Sequence, residues 1–454
     1  MMARTLAAVA REVDGTLHGA DAPFGAVTTD TRTLGPGELF VAIRGERFDG
    51  NDYVPAAHEK GAAGALVSRV SPVPLSQVAV ADTRAAFGAL ARAWRRGFAV
   101  PVVAVTGSSG KTTVKELVAG ILGASRNVCV TQGNLNNDIG VPLTLMRLGP
   151  EHDVLVAELG ANHPGEIDYL AGLVQPTVAL ITNAAAAHLE GFGSLEGVAR
   201  AKGELLDHLP PHGTAVLNAD DRFVGEWRAR SRAANVVTFG LGRDADCRPI
   251  REPRFTAAGA EFRMRLPDGQ EVDVRLPLLG RQNVANALAA AAAAHAAGAS
   301  AADVAAGLAR ATAVRGRMRP VAGRAGAAVI DDSYNANPGS VRAALDYLAL
   351  LSGTRILALG DMKELGPDEV RLHEEIGAYA RDRCDRLIAI GPLAAHAARA
   401  FGPAASACAG VEAAADAILP VLGPDVTVLV KGSRAMGLER LVAALAAPEE
   451  PARC

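Results

Sequence analysis

The sequence predicts an α/β protein of three domains, each built on a mostly parallel sheet with crossover helices. Three observations predict it. Short apolar strands alternate with helical stretches along most of the 454 residues. That rhythm breaks twice, near residue 98 and again over 314–320. Just after the first break, a glycine turn joins a buried strand to a helix. The length alone calls for more than one core. The expected boundaries are 1–97, 98–314 and 315–454.

In chain order, residues 39–43, 65–68 and 78–81 are apolar runs between Gly/Pro turns, and a helix follows over 83–96. A buried strand over 100–105 opens the second domain and leads through glycines into a helix from about Lys111. Further strands are expected at Val154–Glu158 and 178–182, each followed by a loop and a helical stretch. Residues 237–278 depart from the pattern: alternation over 261–266 and 272–276 around Asp268-Gly269 predicts a β-hairpin. A helix over 283–297 closes this region. Beyond the second break, apolar runs at 327–331, 356–360, 387–391 and 426–430 predict a second nucleotide-type sheet.

Composition narrows the function. With 49% hydrophobic and 21% charged residues, the chain has ample material for packed cores. A net charge of −3 excludes a non-specific nucleic-acid binder, which needs a basic surplus. No apolar run reaches the length of a membrane span, so no membrane insertion is expected. The start, Met-Met-Ala-Arg-Thr, lacks the pattern of a secretory signal, and five scattered cysteines without a CxxC fit a reducing, cytoplasmic setting. Of 46 basic residues only six are lysines: Lys60, Lys111, Lys115, Lys202, Lys363 and Lys431. In so arginine-rich a chain, a retained lysine marks either a need for a compact or deprotonatable amine or simple codon bias.

The sharpest signal is Val102-Val-Ala-Val-Thr-Gly-Ser-Ser-Gly-Lys-Thr-Thr113. Glycines at 107 and 110 let backbone N–H groups of Gly107, Ser108, Ser109 and Gly110 converge on phosphate oxygens, at a helix N-terminus whose dipole favours anions. Lys111 supplies a point charge for the β- and γ-phosphate oxygens, Thr112 a hydroxyl for Mg²⁺, and Thr113 continues the helix. Position 105 is Val, so this is a shorter TGxxGKT form of the phosphate loop. Glu158 ends the next apolar strand, as a metal-binding acid does and as a solvent-facing strand end also does. His188 follows the strand over 178–182; taken alone, a structural histidine is the commoner reading.

With these residues in view, the chain resembles the Mur ligases. The resemblance is carried by the phosphate loop, Gly133-Asn-Leu-Asn-Asn-Asp-Ile-Gly-Val-Pro-Leu-Thr-Leu145, Glu158-Leu-Gly-Ala-Asn162, Ala187-His-Leu-Glu190 with Ala201-Lys-Gly-Glu204, Asp331-Asp-Ser-Tyr-Asn-Ala-Asn-Pro338, Leu359-Gly-Asp-Met-Lys-Glu-Leu-Gly366 and Lys431-Gly-Ser-Arg434. Asp30-Thr-Arg32 and Phe48-Asp-Gly50 resemble the N-terminal UDP-sugar domain of that family. The stretches 133–145 and 331–338 point to the branch that adds D-alanyl-D-alanine.

The resemblance implies a three-domain architecture: a UDP-muramoyl substrate domain, a central ATP-binding domain and a Rossmann-like C-terminal domain. It implies an ATP-dependent amide ligase. ATP would phosphorylate the free carboxylate of UDP-N-acetylmuramoyl-tripeptide, and the amine of D-alanyl-D-alanine would attack the acyl phosphate, giving the pentapeptide precursor of peptidoglycan. No activated Ser or Cys is needed for such in-line transfer. Lys111, Lys202 and His188 are the implied catalytic groups. Two Mg²⁺ ions are implied, one at Thr112 and Glu158, the other at His188 and a CO₂-derived carbamate on Lys202; a surface lysine on a helix is the alternative there. Asn283 would meet the adenine, with Gln282 in place of the usual His before it. Arg315 would reach the phosphates, with Arg317 and Arg319 as competitors, and Asp331 and Tyr334 would meet the nucleotide. Thr31, Arg32, Asn134, Asn136, Tyr334, Asn335 and Asn337 would contact substrate, and Lys431 with Arg434 would bind a carboxylate or phosphate. A monomer that closes its domains on binding is expected. The alternatives are a sister amide ligase, such as the diaminopimelate- or lysine-adding enzyme or folylpolyglutamate synthase, and a nucleotide-dependent switch without amide chemistry.

Overall fold

The computed structural model describes residues 4–186, 189–242, 244–256 and 258–448. Three parallel-dominated sheets follow one another along the chain, as the alternation of apolar strands and helices requires. The first has strands β1 (Thr16–His18), β2 (Val27–Thr28), β3 (Leu39–Val41), β4 (Gly64–Val67) and β5 (Gln77–Ala79) in the order β1-β5-β4-β3-β2, with β1 antiparallel. The helix Thr83–Arg95 follows, N-capped by Asp82, whose carboxylate accepts from the N–H groups of Arg84 and Ala85.

The central sheet holds β6 (Val102–Thr106), β7 (Val128–Val130), β8 (Val154–Glu158), β9 (Val178–Ile181), β10 (Thr214–Asn218) and β11 (Asn235–Phe239), all parallel, in the order β11-β10-β9-β6-β8-β7. From β6 the chain moves first to one side of the sheet and then to the other. The C-terminal end of β6 is therefore the switch point at which open α/β sheets take their ligands. Alternation along β6 divides the core: Val102 and Ala104 join the cluster with Leu90 and Trp94, whereas Val103 and Val105 join Val114, Val118 and the helix Arg281–Ala296. Ala287 and Ala289 to Ala294 of that helix are all buried, so small side chains let it lie close against the helix Lys111–Leu122. The hairpin expected over 261–276 is present as β14 (Gly259–Arg265) and β15 (Glu271–Leu276), in a small antiparallel sheet with β12 (Arg248–Pro249) and β13 (Arg254–Thr256). The departure begins after Phe239 and not at 237, because β11 still belongs to the parallel sheet.

The last sheet has β16 (Arg319–Ala322), β17 (Ala328–Asp332), β18 (Thr354–Gly360), β19 (Arg386–Ile390), β20 (Ala405–Cys408) and β21 (Val426–Lys431) in the order β16-β17-β21-β18-β19-β20. Only β16 is antiparallel. The register sets Asp332 beside Lys431 at neighbouring strand ends. Among the described residues, no helix is long and apolar enough to cross a membrane.

Candidate active site

The phosphate loop leaves the C-terminal end of β6 at the switch point. Gly107 and Gly110 have φ of +145° and +83°. A Cβ on Gly107 would lie 1.9 Å from Thr182 Oγ1, and one on Gly110 2.5 Å from Asn286 Oδ1, so both positions require glycine. The strand end of β9 braces the loop. Ser108 N donates to Asn183 O and Ser109 N to Asn183 Oδ1, each at 3.0 Å, and Thr182 Oγ1 donates to Ser109 O at 2.7 Å. Lys111 Nζ folds back to Gly107 O at 2.7 Å. Burial holds its ammonium below the ordinary lysine pKa; the Glu158 carboxylate opposes that shift and the Arg317 charge adds to it.

Glu158 ends β8 beside the loop and is 1% exposed. Its Oε1 accepts from Thr112 Oγ1 at 3.2 Å and from Asn136 Nδ2 at 2.8 Å, while its buried Oε2 has no partner. A carboxylate oxygen with its hydrogen-bonding capacity unused, beside a hydroxyl and a phosphate loop, fits a hard cation that takes the rest of its ligands from phosphate and water. Among the described residues no three His, Cys, Asp or Glu side chains gather into a metal cluster.

Lys202, on the helix Leu195–Gly203, is 1% exposed. Its Nζ donates to Ala161 O at 3.3 Å and lies 5.0 Å from the Phe192 ring centroid. Burial, helped by the charge of Lys111, brings its pKa down to about 7. That burial excludes the surface-lysine alternative. His188 lies outside the described residues.

Above the loop, a cleft of about 1210 Å³ draws on all three sheets' domains. The phosphate loop, Asn136, Glu158 and Asn183 line one side, Arg317, Asp332, Tyr334, Asn335, Asn337 and Lys431 another, and Glu46 and Arg84 reach its rim. Asn283 and Asn286 also line it, Asn286 beside Gly110: Asn283 Nδ2 donates to Leu279 O at 2.8 Å, and its Oδ1 accepts from Asn286 Nδ2 at 2.9 Å. Gln282 also lines it, with Oε1 buried and unpaired. Asn337 caps the helix Pro338–Ala349 and donates to Ser109 Oγ at 3.1 Å, a direct bond between the C-terminal domain and the phosphate loop.

Two expectations need correction. Arg315 is exposed and absent from the cleft; Arg317 is the arginine that reaches it, with Nη2 3.5 Å from Thr112 Oγ1 and its guanidinium 4.1 Å from the Tyr334 ring centroid. The reason is the linker's fold. Asp331 Oδ2 accepts from Gly316 N at 3.0 Å, and Asp332 Oδ1 accepts from Met318 N at 3.1 Å, which pins both neighbours of Arg317; Met318 has φ +47°. Asp331 is accordingly not a cleft residue: its other oxygen takes Ser333 Oγ at 2.6 Å, and it is the next strand position, Asp332, that faces the cleft and pairs with Lys431 at 2.6 Å.

Of the residues expected at substrate, Asn136, Tyr334, Asn335 and Asn337 line the cleft, whereas Thr31, Arg32 and Asn134 do not. Arg32 is exposed and paired with Asp30, and that pairing holds the Asp30 carboxyl down to about 2. Sequence reasoning missed the bracing roles of Thr182 and Asn183; a polar pair ending an apolar strand was the available signal.

A phosphate loop at a parallel-sheet switch point, faced by a Rossmann-like domain across a shared cleft, defines a nucleotide-dependent multidomain enzyme, and the chain belongs to the Mur ligase family. The family's catalytic domain matches residues 23–102, the Mur ligase middle domain 105–294, and the glutamate ligase domain of the family 316–434. The UDP-N-acetylmuramoyl-tripeptide–D-alanyl-D-alanine ligase of Escherichia coli strain K12 is 45% identical over 448 residues, covering 98% of this chain and 99% of that protein. The crystal structure of MurF from Acinetobacter baumannii superposes with a TM-score of 0.90 at 36% identity, covering 96% of this chain and 97% of that one. MurF ligase from Thermotoga maritima in complex with ADP gives 0.81 at 26% identity, covering 92% and 96%.

Proposed function

We propose that this chain uses ATP to join D-alanyl-D-alanine to UDP-N-acetylmuramoyl-tripeptide, making the pentapeptide precursor of peptidoglycan. The observation that carries the reading is the end-to-end 45% identity to a ligase of that name, on a chain whose phosphate loop, Glu158 and C-terminal domain meet in one cleft. Its three working units are 1–97 for the UDP-substrate, 98–314 for ATP and 315–454 for closing over both. It acts as a monomer in the cytoplasm.

Residues 107–113 hold the triphosphate, and Lys111 follows the γ-phosphoryl group. Arg317 supplies a second positive charge from the linker, positioned by Asp331 and Asp332 on its two neighbours. Asn283 and Asn286 form the wall for the base. Thr112 and Glu158 would hold a Mg²⁺ ion, which when bound would neutralise phosphate oxygen charge. Lys202, whose burial lowers its pKa to about 7, is the site for CO₂; a carbamate there would replace an ammonium with oxygens that, with His188, would suit a second Mg²⁺. The tripeptide carboxylate attacks the γ-phosphorus, an O–P bond forms and ADP leaves. The dipeptide amine then attacks the acyl carbon, a C–N bond forms, and phosphate departs with one former carboxylate oxygen while the amine loses its proton. Asn335, Asn337, Tyr334 and Lys431 form the wall on the dipeptide side.

The test supplies ATP, Mg²⁺ and the UDP-muramoyl tripeptide with one amine at a time: D-alanyl-D-alanine, diaminopimelate, lysine or glutamate. Phosphate release with D-alanyl-D-alanine alone is expected. Release with another amine would assign this chain a different donor, and release with none of them would overturn the reading.

A further inference from the structure

Lys115 is one of only six lysines, and the chemistry above does not use it. It lies one turn beyond the phosphate loop on the helix Lys111–Leu122, and its side chain is fully buried, with 0% exposure. Its ammonium has two partners in the structure, the carboxylate of Glu116, which is 45% exposed, and the carbonyl of Thr131 at 2.8 Å. A buried charge gains little in net stability from such a pairing, and apolar residues of the same volume commonly replace it without loss. Its retention calls for a positional reason.

Thr131 supplies one. It is the residue immediately after β7. Its N–H donates to Val156 O at 3.0 Å, continuing the β7–β8 ladder, and its Oγ1 accepts from the backbone N–H of Glu158 at 3.1 Å. The side chain of Thr131 thus replaces the ladder bond that β7 no longer provides, at the residue whose carboxylate stands beside Thr112. Immediately afterwards the chain runs exposed through Gln132 to Asn134 before Asn136 returns to Glu158 Oε1. Without a clamp, Thr131 is the first residue beyond a short edge strand and leads into an exposed turn. The Lys115 ammonium is that clamp, and it ties the turn to the helix that carries Lys111 and Thr112.

We propose that Lys115 is a positioning residue for the cation site: through Thr131 it fixes the backbone of Glu158 relative to Thr112, so that the two candidate ligands stay in register on separate elements. This rests on the reading of Thr112 and Glu158 as Mg²⁺ ligands. An arginine would bring the charge but not the compact head that fits between Glu116 and the Thr131 carbonyl in a closed pocket.

The test measures Mg²⁺ linkage by calorimetric titration of the full-length protein with ADP, with and without MgCl₂, alongside the thermal midpoint. Lys115→Met is expected to bind ADP without Mg²⁺ like the unaltered protein. It should lose about ten-fold of the tightening that Mg²⁺ confers, the scale seen when groups that orient metal ligands are removed. In turnover, the Mg²⁺ half-saturation concentration should rise with KM for the tripeptide unchanged. Thr131→Val, which keeps the carbonyl and removes the acceptor for Glu158 N–H, should reproduce the loss and stands in if Lys115→Met does not fold. Val118→Ala, a core variant of the same helix, controls for destabilisation alone and should leave the Mg²⁺ linkage intact. The proposal is overturned if Lys115→Met or Thr131→Val lowers the thermal midpoint while the Mg²⁺ linkage stays unchanged, or if Val118→Ala weakens that linkage as much. An unaltered protein whose ADP affinity ignores Mg²⁺ would instead refute the parent assignment of Thr112 and Glu158.

Discussion

Replacing Lys202 with methionine should stabilise the protein and abolish its activity. The amine is buried and its pKa falls from an ordinary 10.5 to about 7. At about 1.4 kcal/mol per pKa unit, keeping it protonated inside the fold costs about 5 kcal/mol. Between pH 7 and 10.5 the unfolded chain binds more protons at this site than the folded one, so stability rises with pH across that window. The full cost is present below pH 7, and it vanishes above 10.5. Linkage leaves about 5 kcal/mol at pH 6 and about 2 kcal/mol at pH 9. Methionine has no charge to desolvate but leaves the Ala161 carbonyl without its donor, a loss of about 1 kcal/mol. Lys202→Met should therefore exceed the unaltered protein by about 4 kcal/mol at pH 6 and only about 1 kcal/mol at pH 9. Urea unfolding in carbonate-free buffer reads this through Trp227, whose indole donates to Ala199 O on the helix that carries Lys202. A difference that is the same at pH 6 and pH 9, or a variant less stable at pH 6, would refute the reasoning.

Three further outcomes follow from the site. Arg317→Ala should lower kcat by about 10²–10³-fold, the scale for removing a charge that stabilises a transferring phosphoryl group. Arg315→Ala should stay within about two-fold, and steady-state phosphate release compares the two. Gly110→Ala forces a side chain onto Asn286 at φ +83° and should cost about 1–2 kcal/mol of stability, with ADP affinity lost, as thermal shift with and without ADP would show. Asp332→Asn leaves the Lys431 ammonium buried without its carboxylate, at a cost of about 3–5 kcal/mol. Adding Lys431→Met should restore part of the thermal midpoint.

What the sequence conveyed depended on how local each determinant is. The phosphate loop was legible because strand, glycines, lysine and hydroxyl lie within one short stretch, and the structure brings Thr112 and Glu158 together as their positions at a strand end and a helix start imply. Arg315, Arg317 and Arg319 cannot be ranked from sequence. All three lie in one linker, and the choice is made by Asp331 and Asp332 bonding to Gly316 N and Met318 N, contacts 15 and 14 residues away. The same holds for the two aspartates, where a single-residue change of phase on β17 decides which carboxylate meets the cleft. Thr131 carries no motif of its own, and only the pairing of β7 with β8 reveals that its hydroxyl supports Glu158.

The central step of the proposed reaction is phosphorylation of a tripeptide carboxylate before the amine attacks. Turnover of tripeptide labelled with ¹⁸O in that carboxylate, with mass spectrometry of the released phosphate, measures it directly. One labelled oxygen in the phosphate is predicted; phosphate without label, beside a pentapeptide formed at the normal rate, would contradict it.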